Sequence, residues 1–215
     1  MHQQQAAVTA ATDDGRDADG YGFAPAPRRH VGTYLEMLAS SVLGLVASLV
    51  LAIDAVTLAA DPSATFSCDI SSTISCSTVA LSWQAQLLGF PNAFLGLIFE
   101  PIVITVALAS LGGTRFPRWF RIGVQALYTI AVFFAWWLFT QAYFVIGALC
   151  PWCLLITATT TLVFTSMTRT NILDGVFTFG RWTERVKFWV RAGADIWFAV
   201  LVIGIVAAMV VAKYL

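Results

Sequence analysis

The sequence predicts an all-α integral membrane protein, and three observations carry that expectation. The 215 residues are 59% hydrophobic and only 11% charged, far from the composition of soluble domains. Apolar runs recur at lengths near the roughly 20 residues that a helix needs to cross a bilayer. None of these runs shows the short alternating pattern of a barrel strand, and helices satisfy their own backbone polar groups within lipid. The formal net charge is zero, so bulk charge points to no nucleic-acid partner.

Residues 1–33 are polar and small, rich in Gly, Pro and Asp, and read as a disordered cytoplasmic tail. They contain no apolar core of a cleavable signal peptide, so the first hydrophobic segment is expected to direct insertion and remain. Five spans follow: about Tyr34 to Leu58, Asn92 to Leu111, Ile122 to Gly147, Cys150 to Met167, and Ile196 to Val211. The first four make one unit over 34–170, with a polar loop at 59–91. Residues 171–195 mix basic and aromatic side chains and read as a cytoplasmic interfacial linker. Residues 196–215 form the fifth span.

Charge orients the spans. Arg28 and Arg29 precede the first; Arg115, Arg118 and Arg121 lie between the second and third; Arg169, Arg181, Arg185, Lys187 and Arg191 lie between the fourth and fifth. Alternating spans put all of these on one side and only Lys213 on the other, which makes the basic side cytoplasmic. All four cysteines then face outward, where disulfides form and persist.

Cys68 and Cys76 lie in the Ser/Thr-rich loop, and Cys150 and Cys153 form C-P-W-C at the head of the fourth span. Four cysteines allow three pairings, and the sequence alone does not choose among them. Two structural disulfides are one reading, but a bridge as short as C-x-x-C closes little chain. A Cys₄ zinc site is another, though only one pair has the usual tight spacing; no metal is expected. The reading taken here is a dithiol relay. A helix N-terminus favours a thiolate, Pro151 suits a first helical turn, and a mobile loop pair can meet one partner outside and another at the membrane.

The stretches CDISSTISCSTV, FPNAFLGLIFE and CPWC, in this order and on one side of the membrane, resemble the vitamin K epoxide reductase family in its bacterial branch. The resemblance covers roughly Tyr34 to Thr170 and implies a four-helix bundle around a quinone (menaquinone or ubiquinone), plus a fifth transmembrane helix. It implies that Cys68 exchanges with a separate extracytoplasmic thioredoxin-like, DsbA-like protein. Cys76 then passes the disulfide link to Cys150, and Cys153 faces the quinone. It places Asn92 as a polar contact and Ser82 as a small residue near the cofactor; Phe99 joins them as an aromatic wall of the slot. Where animal members carry a Tyr four residues after the last cysteine, this chain has Thr157, which favours a plain quinone over an epoxide. Many bacterial members continue into a thioredoxin-like domain, whereas this sequence stops at Leu215, hence the expectation of a separate partner. The alternatives are a DsbB-type quinone oxidase, whose C-x-x-C precedes its loop pair, and a non-enzymatic membrane factor that binds metal through its thiols.

Glu100, followed by Pro101, is an intramembrane carboxyl and so a functional candidate, or else a hydrogen-bonded acid at a kink. Asp54 reads as an interfacial residue, and Trp136 and Trp137 as packing. His2 and His30 both precede the bundle, so no histidine is expected as a base within it.

Overall fold

A computed structural model describes residues 30–214. Five of its helices are long and apolar enough to cross a membrane. α1 is Val31–Ala60. A short α2, Cys76–Ala80, lies within the loop. α3 is Ala93–Leu111, α4 is Arg118–Thr140, α5 is Pro151–Leu173, α6 is Thr183–Arg191 and α7 is Ala194–Tyr214. The all-α membrane architecture is as expected, and the apolar runs extend by a few residues at most boundaries. Residues 1–29 of the expected tail, with Arg28 and Arg29, lie outside the described residues; Val31 to Thr33 belong to α1. The linker is shorter than the sequence suggested, because α5 continues to Leu173 and α7 starts at Ala194.

α1 packs along α3 and α5, α4 packs along α5, and α7 lies against α5. Small side chains allow the close approaches, as in membrane bundles generally. A Cβ on Gly96 of α3 would collide with Ser48 of α1. Thr157, Thr161 and Thr165 of α5 each donate a hydroxyl to the carbonyl four residues earlier, which satisfies polar groups that lipid could not. Ile53, Phe133 and Trp197, each more than half exposed, are apolar outer surface suited to lipid.

The end of the bundle away from the cysteines is tied by charge. Arg121 pairs with Asp174 at 2.8 Å and donates to Asn171 at 2.9 Å. His30 meets the same Asp174 at 3.2 Å, and Arg169 meets Asp195 at 2.7 Å. At the cysteine end, α4 widens into a π-helical turn, Gln141–Ile146, closed by Gly147 at φ 73°, a left-handed position that glycine adopts without strain. The chain then passes straight to Cys150.

Candidate active site: four cysteines above an apolar cavity

Cys150 is the N-cap of α5. Its backbone is extended, Pro151 occupies the first turn, and its sulfur accepts the Cys153 backbone N–H at 3.4 Å. The Cys153 thiol and the backbone N–H groups of Cys153 and Trp152 are directed at this sulfur. These are the charge-stabilising features of a helix start.

The loop is folded down onto this helix start. Ile74 forms an isolated parallel bridge with Leu149. Ser75 N–H donates to the Leu149 carbonyl at 3.0 Å, and Leu149 N–H to the Thr73 carbonyl at 2.9 Å. Ser75 caps α2 by accepting the Thr78 N–H. Asp69 knots the loop together: it accepts from the backbone N–H groups of Phe66 and Ser77 and from the hydroxyls of Ser75 and Ser77. Desolvation of the carboxyl works against these bonds, yet together they outweigh it and hold Asp69 down at about 2.

In this state Cys68 and Cys76 are joined by a disulfide, while Cys150 and Cys153 are free thiols. Cys76 Sγ lies 3.3 Å from Cys150 Sγ. Cys68, Cys76 and Cys150 are all buried, packed against Leu51, Phe66, Val79 and Trp152. The loop pair, read from the sequence as mobile, is docked in this state with Cys76 against Cys150. A carboxylate oxygen of Asp54 lies within 4.8 Å of the sulfurs of Cys68 and Cys76. Those sulfurs are bonded to each other, so they offer no thiolate to a metal in this state.

Below the sulfurs opens a cavity of about 530 Å³, within the range of small-molecule sites. Cys76, Cys150 and Cys153 line it, as do Asn92, Ser82 and Phe99; Cys68 does not. Leu51, Phe134, Leu138, Phe139 and Leu154 supply apolar wall, and Glu100, Tyr128 and Thr160 add polar side chains. Asn92 donates its amide to the Gln84 carbonyl at 2.7 Å, while its Oδ1 is buried without a partner. The hydroxyl of Ser48, on the same wall, is also buried and unpartnered. Ser82 donates to the Val79 carbonyl at 2.6 Å. An apolar slot with a second Asn92 N–H and two vacant polar atoms fits a flat ligand carrying oxygens at its rim. Thr157 also lines the slot, with its hydroxyl directed to the Cys153 carbonyl at 3.0 Å.

Three residues acquire significance only in the structure. Asp54, read as interfacial, is 8% exposed and sits beside the sulfurs. Asp69, within the loop motif, organises the loop. Tyr128 of α4 donates its hydroxyl to Glu100 Oε2 at 3.0 Å, which makes Glu100 a hydrogen-bonded acid within the cavity wall. Trp136 bonds Thr161 at 3.2 Å and serves packing, as read from the sequence.

A bundle of apolar helices carrying a docked disulfide beside a C-x-x-C helix start defines a class of protein, the multi-pass membrane thiol oxidoreductases. Residues 35–168, more than half the chain, match the model of the vitamin K epoxide reductase family. The chain belongs to that family, whose members use quinones. No curated protein sequence matches it.

Proposed function

We propose that this protein reoxidises a thioredoxin-like, DsbA-like partner outside the cytoplasm and passes the electrons through its two cysteine pairs to a quinone, so supporting disulfide formation in exported proteins. The observation that carries the reading is the 3.3 Å contact between Cys76 and Cys150, which puts the loop pair within thiol–disulfide exchange distance of the helix pair. The sidedness in this reading rests on the basic residues, which gather at the segments away from the cysteines.

Cys68 is the sulfur that the partner attacks, since it alone of the four cysteines stands off the cavity. It is 7% exposed in the docked state, so attack requires the loop to loosen. Cys76 is released by that attack. Once Cys150 and Cys153 have been joined by oxidation, Cys76 attacks Cys150: a Cys76–Cys150 bond forms, the Cys150–Cys153 bond breaks, and Cys153 departs as a thiolate into the first turn of α5. A quinone, menaquinone or ubiquinone, supplies the two-electron oxidising power when bound. Asn92, Ser82 and Phe99 would hold it, with the second Asn92 N–H and the Ser48 hydroxyl as the donors for its oxygens. Thr157, smaller than the Tyr of animal relatives, leaves no phenol at this position beside Cys153.

Short-chain quinone reduction by the purified protein in nanodiscs, with a small dithiol as donor, tests the reading. Cys150→Ser is expected to give a new visible charge-transfer band with added quinone, and Cys153→Ser none. A band that survives loss of Cys153 but not of Cys150 would reverse the two roles. Absence of any quinone reduction by the unmodified protein would sink the proposal.

A further inference from the structure

Asp54 stands near the cysteine end of α1, buried, with its Oδ2 lacking any hydrogen-bond partner. A buried carboxyl oxygen without a partner is costly and is kept where something else uses it. Its neighbours are sulfurs: Cys68 and Cys76 within 4.8 Å, and Cys150 a further 3.3 Å contact from Cys76. The other carboxylate nearby, Asp69, already accepts from Phe66, Ser75 and Ser77, so it has little capacity left to take a proton. We propose that Asp54 carries the proton between the arriving and the departing sulfur when the two cysteine pairs exchange. The idea rests on the reading that the pairs do exchange, but it needs neither partner nor quinone.

The state seen here contains one such exchange ready to run. Cys150 attacks Cys76: the S–H bond of Cys150 is lost, a Cys76–Cys150 bond forms, and the Cys68–Cys76 bond breaks. Cys68 departs with the bonding electron pair and takes up a proton. One disulfide and one thiol leave the step as they entered it, so no oxidant is consumed. Asp54 accepts the proton given up by Cys150 and returns one to Cys68. The separation of up to 4.8 Å between the carboxylate and the Cys68 and Cys76 sulfurs is one that a bridging water can span. In the forward relay the same carboxylate takes the proton of Cys76 as it attacks the Cys150–Cys153 disulfide, and Cys153 departs as a thiolate.

The experiment uses the full chain with Cys153→Ala, so that Cys150 has only Cys76 to attack. Rearrangement frees the Cys68 thiol, which is trapped by alkylation and located by peptide mapping together with the Cys76–Cys150 bond. Adding Asp54→Asn is expected to slow the trapping by at least about tenfold without changing which bonds form. Asp54→Ala is expected to be equally slow and to be accelerated by added formate, a response that a merely structural role would not give. Asp54→Glu keeps the carboxyl and is expected to stay close to the parent rate, which guards against a fold lost in the other variants. Equal trapping rates for the parent and the Asp54→Asn chain, with no formate response from Asp54→Ala, would overturn the role of Asp54 alone. No rearrangement even with Asp54 intact would instead remove the exchange reading on which it rests.

Discussion

Ile74 pairs with Leu149 across 75 residues of chain by a single parallel bridge, and that bridge sets the register of the two cysteine pairs. Each partner lies one or two residues before a reacting cysteine, so the bridge brings Cys76 and Cys150 together with no further adjustment. Ser75→Pro removes the N–H that bonds the Leu149 carbonyl, whereas Ser75→Ala keeps that N–H and removes the cap on α2 and the hydroxyl's bonds to Asp69, Ser77 and Thr78. In a chain with Cys68→Ala and Cys153→Ala, mild oxidation is expected to join Cys76 to Cys150 readily. The Ala variant should retain most of that crosslink and the Pro variant should lose it; equal yields would show that the bridge does not hold the register.

The pH dependence of loop docking follows from Asp69. Its folded carboxyl titrates at about 2, below the ordinary value of about 4. A depressed acid contributes its stability above the unfolded value, and that contribution fades as pH falls through the folded one. Alkylation of Cys68 and Cys76 after brief reduction, or hydrogen exchange over residues 66–78, should therefore show the loop loosening between about pH 4 and pH 2. Asp69→Asn should be loose already at neutral pH and lose this acid dependence. A variant as protected as the parent would remove Asp69 from the account.

The spans and the helix start at C-P-W-C were legible because each leaves a local signal: apolar length, or a proline one residue past a cap. The loop's docking was not legible. A bridge of one residue pair has no periodicity to read, and a Ser/Thr-rich stretch is also what an open loop looks like. Asp54 carries the same lesson, since an acid near the end of a span is ordinarily interfacial and only the fold turns it towards sulfur. Tyr128 gave no sign either, because its pairing with Glu100 crosses from one span to another.

Close approach of α1 and α3 at Ser48 and Gly96 should make Gly96 intolerant of any side chain. A Cβ there meets both the Cβ and the hydroxyl of Ser48, and overpacking of this kind costs about 1–3 kcal/mol. Gly96→Ala is expected to lower the melting temperature in detergent, and Ser48→Gly in the same chain to recover most of it. No recovery in the double variant would mean that the two helices are not in contact at this level.

Bypass separates the loop pair from the helix pair. Cys68→Ala removes the sulfur proposed as the partner's point of attack and leaves Cys150 and Cys153 with the cavity they line. Exchange with a thioredoxin-like protein should then be abolished, while quinone reduction driven by a small dithiol should continue, because a small reductant can reach the helix pair without the shuttle. Rates within a few-fold of the parent for the dithiol, against loss of more than about 100-fold for the protein donor, are expected if exchange through Cys68 is the only protein route. The docked loop complicates access: Cys76 covers Cys150 at 3.3 Å, so the dithiol rate should also rise when Asp69→Asn is added to loosen the loop. Loss of activity with both donors would make Cys68 a structural brace of the loop, and an unchanged rate with the protein donor would place the point of attack at another sulfur.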